Sequence, residues 1–492
     1  MKLQKYFTLA LGPILFIITL FLFSFFNYKQ EGQMAAIAIW IATWWLTEAV
    51  EMPVTSLLPI ILIPIFGIAD AKTIASQYMD QVIFLFMGGF MLSYALEKSN
   101  LHTRLALFIL SKVGNKPQNI LAGIMLTAFF ISMWMSNTAT VMMLYAAVIA
   151  IVVKFKESVL SHNQIGASLM IGLAYASSIG GMATLVGTPT NMIFYSFYNS
   201  QFEHQNQLVF STWFMLAFPI ALLLAVVTFF CIRHHFKLQK IKPEINEIFF
   251  THQYKSLGSL SRDEKIVGLI FILTAFLWFS RSDIVIGNFY FKGWSNLFLH
   301  KDYIQDSTVA ILMASVLFFI PSCKNSQQTL LSWEDCKKLP FGIMLLFGSG
   351  FALAKGFELS GLSNLLAQGL HILGKQHFLL ITIGMCILIT FISEFASNVA
   401  SIQLALPILL ALSVSLNFPA ISLMIPATLA ASLGFMLPVA TAPNTIVYGS
   451  GLIKAKDMYS IGLWVNIAGV ILISIICYAF CDKIFHVNAL LK

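Results

Sequence analysis

Apolar positions along this chain come in long runs rather than in alternating or amphipathic patterns. Runs near 8–27, 34–50, 54–69, 82–96, 212–232, 263–280, 307–321, 341–357 and 460–481 are long enough for helices crossing roughly 30 Å of hydrocarbon at 1.5 Å per residue. Four more, near 118–153, 166–198, 377–414 and 421–450, are interrupted by polar or Pro-containing segments. Each interrupted run is too long for one span and too apolar for a loop, so 118–153 and 377–414 read as re-entrant hairpins. The runs 166–198 and 421–450 read as helices unwound part-way. The pattern predicts an all-α polytopic membrane protein of about eleven transmembrane helices.

Composition agrees, with 58% hydrophobic and 10% charged residues, where a soluble chain carries about a quarter charged. The net charge of +8 forms no basic stripe, so nucleic acid is not indicated as a partner. Topology accounts for it better: with a cytoplasmic N-terminus and an external C-terminus, twenty of the twenty-nine Lys and Arg fall in cytoplasmic loops, as the positive-inside rule requires. Lys2 and Lys5 ahead of the first apolar run imitate a signal peptide, but no small-x-small site precedes Asn27, so the first helix is expected to be retained. Cys231, Cys323, Cys336, Cys386, Cys477 and Cys481 show no CxxC spacing, and no HExxH occurs. No cofactor is expected, and no motif of an intramembrane enzyme is present.

An internal repeat organises the chain. A shift of 261 residues lays FLFMGGFMLSYALEKSNLHTRLA (84–106) over LLFGSGFALAKGFELSGLSNLLA (345–367), and carries Ser136-Asn137 onto Ser397-Asn398 without a gap. GTPTN (187–191) meets ATAPN (440–444) at a shift of 253, and segment 154–163 is the expected seat of the eight-residue difference. The division is then an N-terminal helix (1–33), a first repeat (34–235), a cytoplasmic loop (236–262) and a second repeat (263–492). Five spans plus a hairpin per repeat invert the second repeat relative to the first. Transporters place their solute site near mid-membrane at such a junction.

The polar interruptions carry the candidate chemistry. Ser136-Asn137-Thr138 and Ser397-Asn398-Val399 break helices at a depth where irregular backbone is tolerated only against protein or a wet cavity. A broken helix frees amides for anions and carbonyls for cations. The alternative for either triplet alone is capping or helix–helix adhesion. GTPTN and ATAPN put proline inside a predicted helix, with a simple kink as the alternative. Apart from Arg281 and Lys355, no cation lies in the apolar runs, so a charged solute must be held by neutral donors and helix ends, accompanied by cations. Glu394, Glu48 and Glu51 are the embedded acids, the last two expected to pair or face water.

WWLTEAVEMPVTSLLP (44–59), MSNTAT (135–140), GTPTN (187–191), SEFASNVAS (393–401) and LPVATAPNTIVYGSG (437–451) resemble the divalent anion/sodium symporter family over about residues 34–480. The resemblance implies a homodimer with scaffold and transport parts moving like an elevator, and sodium-coupled symport of C4-dicarboxylates (succinate, malate, fumarate) or related acids such as citrate across the plasma membrane. Sodium-independent exchange and sodium/sulfate symport are the alternatives. Carried over by position, it implies a first sodium site from Ser132, Ser136, Asn137 and Gly187 and a second from Ser393, Ala396, Asn398 and Ala440. Substrate would meet Asn137, Thr138, Thr188, Ser397, Asn398, Thr441 and Ala442. Val399 departs from the threonine that many members have there, which removes one hydroxyl contact.

Overall fold

The computed structural model describes residues 2–114, 116–154, 159–202, 208–241, 248–286, 289–323, 328–370 and 377–485. Its helices run α1 (Lys2–Phe25), α2 (Lys29–Thr47), α3 (Met52–Thr55), α4 (Leu58–Ile65), α5 (Ala71–Ser76), α6 (Gln81–Ser99), α7 (Leu101–Val113), α8 (Pro117–Ser132), α9 (Asn137–Lys154), α10 (Val159–Met182), α11 (Pro189–Gln201), α12 (Phe210–His235) and α13 (Ile248–Ser256). They continue with α14 (Arg262–Ser280), α15 (Asp306–Phe319), α16 (Trp333–Cys336), α17 (Phe341–Ser360), α18 (Leu362–Leu370), α19 (Phe378–Phe395), α20 (Asn398–Leu416), α21 (Ala420–Ala430), α22 (Ala442–Tyr448) and α23 (Ala455–Ile484). A small antiparallel hairpin, β1 (Ile284–Ile286) and β2 (Phe289–Phe291), is the only sheet among the described residues.

Eight helical stretches among the described residues are long and apolar enough to cross a bilayer, and five shorter apolar helices accompany them. The protein is an all-α polytopic membrane protein. Helix α10 is its centre: residues 165–182 are all buried, as suits a helix apolar on every side. Helix α1 is the opposite case, largely exposed and packed mainly along α2.

The repeat read from sequence is repeated in local structure. Helix α6 ends at Asn100 (φ 65°) and α17 at Gly361 (φ 78°), 261 positions on, both left-handed where Gly and Asn are tolerated best. Asn100 N donates to Glu97 O at 3.0 Å and Gly361 N to Glu358 O at 3.2 Å. Ser99 Oγ then accepts from Leu101 N at 3.4 Å and Ser360 Oγ from Leu362 N at 3.3 Å. The same turn, atom for atom, starts α7 and α18. Each half continues with an antiparallel helix pair (α8–α9, α19–α20) and a helix interrupted by irregular backbone (α10–α11, α21–α22), and closes on a long helix, α12 or α23.

Three local differences from the sequence reading have plain causes. The run 54–69 is not one helix: α3 stops at Ser56, whose hydroxyl donates to Met52 O at 2.7 Å, and α4 restarts with Pro59 in its first turn. Pro189 and Pro443 do not sit within helices. They occupy the first turns of α11 and α22, where a missing N–H leaves no bond unmade, so neither is a kink. Within 154–163, residues 155–158 lie outside the described residues, and from Val159 onward the extra length of the first half is the opening of α10 rather than loop.

Between α14 and α15 the chain is tied by a buried ion pair, Arg281 Nε to Asp306 Oδ1 at 2.5 Å, with Tyr195 Oη and Phe210 N donating to Asp306 Oδ2 at 3.2 and 3.0 Å. Arg281 is thereby held among α11, α12, α14 and α15 by a buried acid.

Candidate functional site

Helices α9, α11, α20 and α22 all begin at one cavity of about 600 Å³. The two hairpin tips bring Ser136, Asn137 and Thr138 from one half and Ser397, Asn398 and Val399 from the other. The interruptions of α10–α11 and α21–α22 bring Thr188 and Pro189, and Ala440, Thr441, Ala442 and Pro443. All seven substrate-contacting residues expected from sequence line it together. Leu46, Thr47, Glu48, Pro340 and Ile343 close a further side, with Phe90 and Phe395 as apolar walls. No Lys, Arg or His lines it among the described residues. The positive field is supplied by helix starts, whose free amides carry about half a positive charge per helix, with α9, α11 and α20 each 13 residues or longer.

Behind each hairpin tip stands an oxygen pair in the 261-residue register. Ser132 Oγ lies 2.7 Å from Asn137 Oδ1, and Ser393 Oγ lies 2.6 Å from Asn398 Oδ1. Ser393 Oγ also approaches Ala431 O at 2.5 Å, so one hydroxyl proton faces two acceptors. Clustered oxygens with too few protons are the donor set a hard cation such as sodium takes up. At the first pair, a Cβ on Gly181 would run into Asn137 Oδ1 and Gly187 O, and one on Gly187 would come 2.5 Å from Gly181 O. Two glycines thus let backbone carbonyls crowd against the Asn137 amide. At the second, a Cβ on Gly434 would come within 3.3 Å of the Ala440 Cβ and 3.4 Å of the Ser393 carbonyl oxygen, a tight approach. The structure therefore gathers Ser132, Asn137 and Gly187 in one place, and Ser393, Asn398 and Ala440 in another. Ser136 and Ala396 line the main cavity, as Asn137, Asn398 and Ala440 also do, and the Ser136 hydroxyl accepts from Ala139 N at 3.2 Å.

Sequence reasoning left three positions out of the site set. Asn191 Nδ2 donates to Gly181 O, Met182 O and Thr184 O at 3.1, 3.2 and 2.7 Å, and Asn444 Nδ2 to Gly434 O and Leu437 O, both at 3.0 Å. Each Asn clamps the carbonyls that its broken helix leaves free, at the 253-residue shift. The signal was present, since both close the GTPTN and ATAPN motifs, but an Asn after a turn reads equally as a cap. Ala431 is the third; it contributes a backbone oxygen, which no side-chain pattern reveals.

Glu394 is placed differently from the other acids. It does not line the cavity; its carboxylate accepts from Phe435 N at 2.8 Å, Met436 N at 2.9 and 3.1 Å, Leu437 N at 3.0 Å and Asn466 Nδ2 at 2.6 Å. The position 261 earlier is Met133, so this latch exists in one half alone. Glu48 and Glu51 part company. Glu48, left-handed at φ 48°, is exposed and lines the cavity, whereas Glu51 is exposed at the start of α3 away from it.

A family model described as the sodium:sulfate symporter transmembrane region matches residues 5–487. The chain belongs to the sodium:sulfate symporter family. Curated relatives of this symporter-family chain include the sodium-dependent dicarboxylate transporter SdcS of Staphylococcus saprophyticus, 37% identical over 491 residues that cover 98% of this chain and 92% of that one. SdcS of Staphylococcus aureus strain bovine RF122 is 38% identical over 481 residues, covering 96% and 90%. Among solved structures, Neisseria gonorrhoeae MtrF, described as illuminating a class of antimetabolite efflux pumps, matches with a TM-score of 0.54 at 12% identity over 83% of each chain. At that identity the likeness concerns the fold. The family's sodium dependence gives the paired Ser–Asn oxygens of this symporter-family chain their chemical context.

Proposed function

We propose that this protein is a secondary active transporter that carries C4-dicarboxylates such as succinate, malate and fumarate, or related acids such as citrate, together with sodium across the plasma membrane. The observation that carries the reading is the pairing: two Ser–Asn oxygen clusters, in register across the halves, flank a cavity into which helix starts point and no side-chain cation reaches. Dicarboxylate is bound by the amides and hydroxyls of Asn137, Thr138, Thr188, Ser397, Asn398, Thr441 and Ala442. Sodium occupies the oxygens behind each tip, the first ion with Ser132, Ser136, Asn137 and Gly187, the second with Ser393, Ala396, Asn398 and Ala440, joined there by Ala431 O. Bound sodium offsets the charge of the carboxylates, so each ligand raises the affinity for the other. The names of the Staphylococcus relatives support dicarboxylate over sulfate, and so does a cavity of about 600 Å³ with two separated sets of donors.

The two repeats, 34–235 and 263–492, are inverted, and the hairpins with the broken helices form a body that slides against a dimeric scaffold. With the N-terminus cytoplasmic and the C-terminus external, Glu48 and Pro340 belong to the cytoplasmic side, and the cavity they border opens inward. Each net positive charge entering at 100 mV adds about 2.3 kcal/mol, so an excess of sodium charge over substrate charge drives concentrative uptake.

Uptake of radiolabelled succinate into proteoliposomes tests the reading. Uptake is expected under an inward sodium gradient, to cease when choline or potassium replaces sodium, and to be inhibited by unlabelled malate and fumarate more strongly than by sulfate. Uptake that ignores sodium and requires internal dicarboxylate would make the protein an exchanger. Inhibition by sulfate alone would make it a sulfate carrier.

A further inference from the structure

A second cavity, of about 610 Å³, lies away from the solute site, between the end of α12 and the start of α23. Arg233, His234 and His235 from the last turn of α12 line it, with Gln239 from the following turn, Phe230 below and Trp464 from α23 opposite. The charge balance at this place is one-sided. With the Gln239 amide turned so that its oxygen meets the guanidinium, that oxygen accepts from Arg233 Nη2 at 2.6 Å and Nε at 2.9 Å, a neutral partner that orients the charge without cancelling it. Among the described residues Asp457 pairs with His235 at 3.1 Å, leaving Arg233 without an acidic partner there. Lys237 and Lys240 follow immediately and are exposed. Part of this charge suits the carbonyl end of α12, but a helix end needs no cavity.

The other wall identifies the occupant. Phe230 is 53% and Trp464 63% exposed, both on helices whose outer faces are apolar, and the Arg233 guanidinium stands 5.8 Å from the Phe230 ring. A cationic recess set directly above an apolar, aromatic flank matches an amphiphile lying along the protein, phosphate in the recess and acyl chains against the flank. Basic residues immediately beyond a membrane helix attract anionic lipid by about 1 kcal/mol each. A free phosphate ion has no use for the aromatic wall. We infer that this cavity binds the phosphate headgroup of an anionic phospholipid. Its seat on α12 and α23, which close the two halves, lets the lipid join them at the membrane surface.

Native mass spectrometry of the full-length protein tests this, with phosphatidylglycerol or phosphatidylcholine added at equal mole fraction in detergent. Phosphatidylglycerol adducts are expected to outlast phosphatidylcholine adducts, and Arg233→Gln to lower them by about fivefold, the weight of one near-surface cation. Lys337→Gln, an exposed lysine at the remote α16, is expected to change nothing. If Arg233→Gln fails to elute as the wild-type species, the exposed pair His234→Gln with Lys240→Gln is expected to produce the same loss. Equal retention of both lipids, full retention in a folded Arg233→Gln or in the exposed pair, or displacement of phosphatidylglycerol by millimolar inorganic phosphate would each overturn the lipid assignment.

Discussion

Asn137→Ala is expected to abolish sodium-driven succinate uptake while the purified protein elutes and melts as a folded species. Two losses coincide at this one side chain. Its Oδ1 stands 2.7 Å from Ser132 Oγ, within the oxygens assigned to the first sodium ion. The same residue opens α9 at the wall of the solute cavity, where it would also contact a carboxylate. A lost hydrogen bond to a charged group costs about 1.5–3 kcal/mol, roughly a ten- to hundredfold loss of affinity, and the missing cation ligand adds to it. Asn398→Ala is expected to behave alike, because Asn398 makes the matching 2.6 Å contact with Ser393 and opens α20. Proteoliposome uptake beside size-exclusion elution reads both arms. Normal transport by either folded variant would remove the site assignment.

Glu394→Gln is expected to reduce transport at least about tenfold, with a lower melting temperature, although Glu394 touches no solute. Its two carboxylate oxygens receive three consecutive backbone amides, Phe435 to Leu437, and the Asn466 side chain. Gln presents one acceptor and one donor to the same amides, so at least one buried N–H loses its partner, at about 1–3 kcal/mol. The loosened backbone leads directly to Ala440, Thr441 and Ala442 at the cavity wall. As a positioning effect, the loss is expected in the apparent affinities for sodium and succinate together, because both rely on that segment. Wild-type affinities for both in Glu394→Gln would show that the latch is dispensable.

Some of this was legible in the sequence for identifiable reasons. The Ser99-Asn100-Leu101 and Ser360-Gly361-Leu362 turns are written in residue types with few other uses at a helix end, so register and local structure agree. The hairpin tips stood out because Ser-Asn pairs in the middle of long apolar runs have no cheap explanation in lipid. What escaped depends on through-space partners. The Arg281–Asp306 pair joins helices across a 25-residue gap, and Glu394 meets its amides some forty residues downstream. The prolines of GTPTN and ATAPN mark breaks in the apolar runs, but at the start of a helix rather than inside one. In the structure the chain unwinds before them, over 183–188 and 431–441, and proline begins the helix that follows. Glu48 was expected at a helix end near water, and its left-handed turn is what aims that helix end at the cavity.

Equilibrium binding of labelled succinate to the purified protein, measured across a sodium titration with choline holding ionic strength constant, tests the coupling of the paired oxygen clusters to the solute cavity without any gradient. Succinate affinity is expected to rise steeply with sodium, with a Hill coefficient above one for sodium, and to lose that steepness in Ser132→Ala and Ser393→Ala. Succinate binding that is equally tight in choline and in sodium would contradict it.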